Sequence, residues 1–204
     1  MRVLVPFGAR DPKTRLGAVL DEQERHSFAE AMLADVLRAL ADHDPVVLAD
    51  APVDVDAPVT VDERPLTEAV NAELASGVPT AVMMADLPLV GRETVERLIA
   101  PDADVVMAPG LGGGTNALVV RDETFRVDYH GASVRDHRRA ARAEGLSLAT
   151  VDSFQLAADI DEPDDLVEVL LHGDGAAATW LRAHGGRVAT TDGRAQFTWG
   201  DTEE

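Results

Sequence analysis

Five residues of this chain have the types and the setting for phosphate and metal chemistry: Lys13, Arg15, Asp86, Asp159 and Asp161. The two cations lie in "FGARDPKTRL", where Gly8 lets a ligand approach the backbone closely, Pro12 stiffens the loop and Thr14 separates the charges. The chain has seventeen arginines and one lysine, and the lysine stands here. An ammonium is a compact point charge suited to phosphate oxygens, whereas a guanidinium is a planar fork that wants bidentate partners. A lysine kept at this one position points to a geometric demand; the plain alternative is a chance survivor on an exposed loop.

The carboxylates fall in two motifs. "MMADLPL" ends an apolar run on Asp86, at the mouth of a sheet, and "ADIDEPDDL" sets Asp159 and Asp161 two residues apart, on one side if extended, with Pro163 opening the following helix. A hard cation such as Mg²⁺ takes one or two carboxylates and completes its shell with substrate phosphates and water. Either Asp159 or Asp161 could complete a site with Asp86; the bland readings are a turn for Asp86 and a helix N-cap for Asp161. "GLGGGTNAL" is neither a P-loop nor a dinucleotide fingerprint. Its consecutive glycines could expose backbone amides as an anion nest beside Thr115 and Asn116, or form a simple β-turn. "YHGASVRDHRRAAR" starts a helix at Ser133 and carries Arg135, Arg138, Arg139 and Arg142. A helix start binds anions, which favours Arg135, while a solvated face explains the others equally well.

Short apolar runs must hold these groups in place. Residues 2–7, 45–50, 79–86, 104–109, 116–120 and 146–151 read as strands buried on both faces. Between them, "DEQERHSFAEAMLADVLRAL" opens with an Asp21–Glu24 capping box and places Phe28, Leu33, Val36, Leu37 and Leu40 on one stripe. Shorter helices fit 65–76, 91–99, 133–144, 163–171 and 174–184. This alternation predicts an α/β fold: a Rossmann-like, doubly wound, mainly parallel sheet with helices on both faces and its ligand at the carboxyl ends of the strands. One domain over 1–184 is expected, followed by a tail over 185–204 that either packs Phe197 and Trp199 on the body or stays disordered.

Composition narrows the function classes. The net charge of −19 over 204 residues repels nucleic acid, and with lysine nearly absent it fits a protein adapted to a salt-rich cytoplasm, as in a halophilic archaeon. There is no cysteine, so disulfides, thiolate metal sites and cysteine nucleophiles are excluded. "MRVLVPF" runs directly into a strand, without a secretory pattern, and no apolar run has the length of a membrane span. A cytoplasmic location without membrane partners is expected.

In this order, "PKTRL", "AEAMLADVL", "LTEAVN", "MMADLPL", "VVMAPGLGGGTNAL", "VDSFQLAADIDEPDDL" and "LLHGDGAAA" resemble the 2-phospho-L-lactate guanylyltransferases of coenzyme F-420 biosynthesis. That family sits among nucleotidyltransferases with a molybdopterin-guanylyltransferase-type fold, like the nucleotide-diphospho-sugar transferases. The resemblance covers residues 1–184. It implies transfer of GMP from GTP to 2-phospho-L-lactate, giving lactyl-2-diphospho-5′-guanosine and pyrophosphate, with Mg²⁺ held by Asp86 and Asp161 or Asp159. Lys13 and Arg15 would neutralise the departing pyrophosphate; Gly8, Thr67 and Asn71 would serve the nucleotide; Gly113, Gly114, Thr115, Ser133 and Arg135 the acceptor. A homodimer is implied as well. One departure stands out: where the family has a Phe-Gly-x-x-Ser turn, this chain has Tyr129 to Ser133, with His130 in the glycine position. Phosphoenolpyruvate or 3-phosphoglycerate as acceptor, and a catalytically silent nucleotide-binding module, are the competing readings.

Overall fold

Valine and leucine fill both faces of the central strands, and the sheet is accordingly covered on both sides. The computed structural model describes residues 1–200. Strands β1 (Arg2–Phe7), β2 (Asp44–Ala49), β3 (Val59–Val61), β4 (Thr80–Met83), β5 (Val105–Pro109), β6 (Thr115–Val120) and β7 (Leu148–Thr150) form one sheet in the order β3-β2-β1-β4-β6-β5-β7. All neighbours pair in parallel except β6, which runs antiparallel to both β4 and β5. The chain winds outward from β1 through β2 to β3 and then returns to place β4 on the other side of β1. That reversal is the switch point at which an open α/β sheet parts its loops and leaves a crevice.

One face of the sheet packs on α1 (Glu22–Ala39), α3 (Arg92–Ile99), α6 (Leu166–His172) and α7 (Ala176–Ala183); the other on α2 (Leu66–Ala75) and α4 (Ser133–Ala143). α1 starts where its capping box requires: the Asp21 carboxylate accepts from the Glu24 amide and Glu24 accepts from the Asp21 amide, each at 2.8 Å. Phe28, Met32, Leu33 and Val36 of its inner stripe are fully buried, whereas Leu37 is only half-buried. A short α5 (Phe154–Ala157) precedes the acidic motif.

Three features depart from the sequence reading. β3 escapes it because it is a three-residue edge strand with Pro58 before it. The antiparallel direction of β6 is invisible to hydrophobic patterning, which records burial and not polarity. Residues 186–199 are no disordered tail: β8 (Gly186–Thr191) and β9 (Arg194–Trp199) pair as an antiparallel hairpin. Asp192 and Gly193 both take positive φ at its turn, as an Asp-Gly two-residue loop requires. Phe197 and Trp199 meet edge to face at 4.8 Å and pack against the α-helical body, while the outer face is Thr, Arg and Gln, which hides the alternation. Residues 201–204 of the expected tail lie outside the described residues.

Candidate active site

The loop after β1 is held by groups brought from elsewhere. The Asp50 carboxylate, just past β2, accepts from the Ala9 amide at 2.6 Å. Arg25 of α1 donates to the Pro12 carbonyl at 3.2 Å and to the Asp11 carboxylate at 2.7 Å. Leu16 plugs the following 3-10 turn (Thr14–Ala18) into the core. Between these anchors Lys13 adopts a left-handed backbone, φ 53° and ψ 43°, an uncommon conformation for a residue with a side chain. That twist turns the side chain inward rather than to solvent, contrary to the exposed-loop alternative: it is 11% exposed.

What Lys13 meets is the two aspartates singled out in the sequence. Its Nζ lies 2.6 Å from Asp86 Oδ2 and 2.7 Å from Asp161 Oδ1, and Arg15 Nη2 reaches Asp161 Oδ2 at 2.8 Å. Burial opposes the charged form of Lys13, but the two carboxylates outweigh it and hold its pKa above the usual lysine value. Asp161 likewise loses solvation, yet Lys13 and Arg15 keep its pKa below the ordinary carboxylate range. Asp159 differs: burial, with Asp86 and Asp161 nearby, raises its pKa despite a 3.0 Å hydrogen bond from Asn116. Asp86 is fixed at the site by its own carbonyl, which accepts from the Ile160 amide at 3.1 Å and ties the two motifs together.

Two clefts flank this cluster. One, of about 280 Å³, is lined by Gly8, Lys13, Arg15, Met84 and Asp86. A Cβ on Gly8 would meet nothing within 4 Å, so the space before it belongs to the cleft and not to packing. The other, of about 500 Å³, is lined by Arg15, Gly112, Gly114, Gly131, Asp159 and Asp161 with further carboxylates from Glu162, Asp165 and Glu168. An anion entering so acidic a cleft needs a cation beside it. Asp86 Oδ1 is buried without a hydrogen-bond partner among the described residues, an orphan that a cation would satisfy. Oxygen donors from two convergent carboxylates suit a hard divalent ion that keeps waters or phosphates, so the residues fit such a group. Among the described residues, no cluster of three or more His, Cys, Asp or Glu side chains forms a full cage.

The remaining expected residues fall in different places. Thr115 and Ser133 are buried, not open to a ligand: Ser133 Oγ donates to Thr115 Oγ1 at 3.1 Å and His137 Nδ1 lies 2.9 Å from the same oxygen. His137 Nε2 accepts from the Asp128 amide at 2.9 Å, so the proton sits on Nδ1 and points at Thr115. Burial pushes the His137 pKa down to about 4. Gly114 borders the acidic cleft; Gly113, with φ +84°, shapes the loop, spending its amide on the Gly110 carbonyl and its carbonyl on the Val134 amide. Thr67 accepts from the Tyr129 amide at 3.0 Å, and Asn71 pairs with both backbone groups of Val127 at 2.9 Å. These two side chains brace the 127–129 segment and are not brought to the Lys13 cluster. Arg135 is exposed and lines neither cleft. His130 does not need glycine's freedom, since the positive φ of this turn falls on Gly131, and its ring binds Asp128 at 2.6 Å.

Sequence reasoning missed the supports. Asp50 and Arg25 have no motif of their own. Asn116 was legible as a polar group in the glycine segment, but not as the buried donor that orients Asp159. His137 has no motif of its own either, although its i+4 relation to Ser133 puts both on one helix face.

Comparisons with known proteins agree with this architecture. The family described as "Guanylyl transferase CofC like" matches residues 1–197. A Haloarcula marismortui protein named 2-phospho-L-lactate guanylyltransferase is 60% identical over 201 residues, covering 95% of this chain and 97% of its own. A Haloferax volcanii protein of the same name is 60% identical over 200 residues, covering 96% and 97%. Among solved structures, a putative nucleotide-diphospho-sugar transferase from Desulfovibrio desulfuricans G20 superposes with a TM-score of 0.74 at 18% identity, covering 90% of this chain and 94% of that one.

Proposed function

We infer the chemistry of this site from one premise: the chain belongs to the CofC-like guanylyl transferase family. It is a nucleotidyltransferase that moves GMP from GTP to 2-phospho-L-lactate, forming lactyl-2-diphospho-5′-guanosine and pyrophosphate for coenzyme F-420. A phosphate oxygen of the acceptor attacks the α-phosphorus, and the bond from that phosphorus to the bridging oxygen of the leaving pyrophosphate breaks. A phosphate is already anionic near neutral pH, so no general base is required. The protein's tasks are alignment and charge neutralisation.

We assign these tasks as follows. GTP lies in the cleft of Gly8, Lys13 and Arg15, with the two cations facing the pyrophosphate being released. The acceptor enters the acidic cleft beside Gly114, Asp159 and Asp161. Asp86 and Asp161 hold Mg²⁺, with Asp159 oriented alongside by Asn116; when bound, the ion supplies charge neutralisation at phosphate oxygens. Thr115, Ser133 and His137 fix the glycine loop between the clefts, and Thr67 and Asn71 fix the wall at 127–129. The observation that carries this assignment is the convergence of Lys13, Asp86 and Asp161 at the switch point of the sheet, with Asp86 Oδ1 left without a partner. It is tested by pyrophosphate release from GTP and 2-phospho-L-lactate. Asp86→Asn should keep the fold and lose on the order of 10²-fold or more in turnover; near wild-type turnover would refute the assignment.

A further inference from the structure

We propose that Lys13 is the resident counter-ion of the Asp86–Asp161 pair, and that divalent metal enters by displacing it, so that metal binding and release of the lysine to the triphosphate are one exchange. This rests on reading Asp86 and Asp161 as the metal-binding pair. The Lys13 ammonium sits between the two carboxylates, 2.6 Å from Asp86 Oδ2 and 2.7 Å from Asp161 Oδ1. A divalent cation held by the same two carboxylates, with an ammonium still in contact with both, would place like charges within a few ångströms of each other. They compete for one place. Even with the lysine in place, Asp86 Oδ1 stays buried without a partner among the described residues, so the lysine alone does not satisfy the pair.

Arg15 provides the contrast. Of the two aspartates it touches only Asp161, its other ion pair runs to Glu162 Oε1 at 3.6 Å, and its side chain is 63% exposed. It need not move for a cation to sit between the aspartates. While the loop backbone is held by its own anchors, the Lys13 ammonium is held only through its contacts to Asp86 and Asp161, which a bound metal would replace. Once displaced, its flexible stem can present the ammonium to the neighbouring Gly8–Arg15 cleft. Without metal, the lysine is not free for phosphate.

The single lysine makes the exchange directly visible, since lysine labelled with ¹³C gives one Cε–Hε correlation in the full-length wild-type protein. Titration with Mg²⁺ alone should shift that signal, saturating at the affinity measured by calorimetry. Mn²⁺ binding followed by electron paramagnetic resonance should tighten at least about tenfold in Lys13→Met, within the usual range of coupling between competing ligands, and far less in Arg15→Met. The second variant removes a charge without vacating the place between the aspartates. Metal binding that depends on Asp86, yet leaves the lysine signal unmoved, would overturn the exchange while sparing the metal site. Equal tightening in the two variants would also overturn it. Absence of Asp86-dependent Mn²⁺ binding in the wild type would overturn the metal reading itself, and the exchange with it. The wild-type titration decides the matter even if Lys13→Met does not fold.

Discussion

Lys13 shows at the residue scale what a sequence can disclose about a site. Its uniqueness and its loop mark it as chemical, but its partners lie 73 and 148 residues away, and nothing in the local text names them. Solvent exposure was the natural guess for a loop lysine, and it would make Lys13→Ala neutral for stability. With the side chain 11% exposed between two carboxylates, truncation instead leaves like charges facing each other. We expect Lys13→Ala to lower unfolding free energy at pH 7 by about 1–3 kcal/mol, read from denaturant melts, since losing one partner of a largely buried ion pair leaves the other uncompensated. Lys13→Arg keeps the charge, but its fork is too wide to bridge both aspartates as an ammonium does; pyrophosphate release should fall strongly, and full activity would remove the geometric requirement. His137 gives the pH prediction. Its native pKa of about 4 lies below the unfolded value of about 6.5. Between those values the unfolded chain holds a proton that the native state does not, so stability falls as pH falls. The loss should reach about 3 kcal/mol and level off near pH 4. His137→Gln should lack this part of the slope; identical slopes in the two proteins would mean that His137 is not buried neutral.

Elements were legible where burial had a strong period. α1, α2, α3 and α4 appear within a residue or two of their expected bounds because each has a clear apolar face or a cap. The hairpin of β8 and β9 did not, because its exposed side is polar and only the Asp192–Gly193 turn signals it. A second hidden device lies inside α1, where Asp35 faces the core, a position that patterning assigns to an apolar residue. Its carboxylate accepts the amides of Ala176 and Ala177 at 2.7 and 2.9 Å, capping α7 across a gap of more than 140 residues. Gly175 is required by this contact, since a Cβ there would come within 2.1 Å of Asp35 Oδ1. Asp35→Ala should therefore strand one buried and one part-buried amide and cost about 2–4 kcal/mol, a melting-temperature drop of several degrees in a chain of this length. Gly175→Ala should approach the same loss by pushing the carboxylate off. If Asp35→Ala melts with the wild type, α7 is capped by something else, and the α1–α7 contact is simple packing.

At the scale of the whole molecule, a net charge of −19 surrounds a site built for anions. Inside the clefts the arrangement is local and dense: Lys13 and Arg15 lie against Asp86 and Asp161 at contact distances, where dissolved salt screens little. Over the surface the carboxylates lie farther apart, and their mutual repulsion acts through water. That long-range term disfavours the compact state and also turns away incoming GTP and phospholactate. Raising KCl from about 0.1 M to about 1 M shortens the screening length from roughly 10 Å to roughly 3 Å, which suppresses the surface repulsion and spares the contact pairs. Both consequences run the same way. The melting temperature should rise with KCl, and the KM for GTP should stay level or fall, opposite to the salt weakening of a site that attracts its anion by a basic surface. A melting temperature that is flat or falls across that range would show that the surface charge is already neutralised by its own arginines. A KM that climbs steeply while the melting temperature rises would show that the two cations of the first loop, and not the field of the whole chain, govern how GTP arrives.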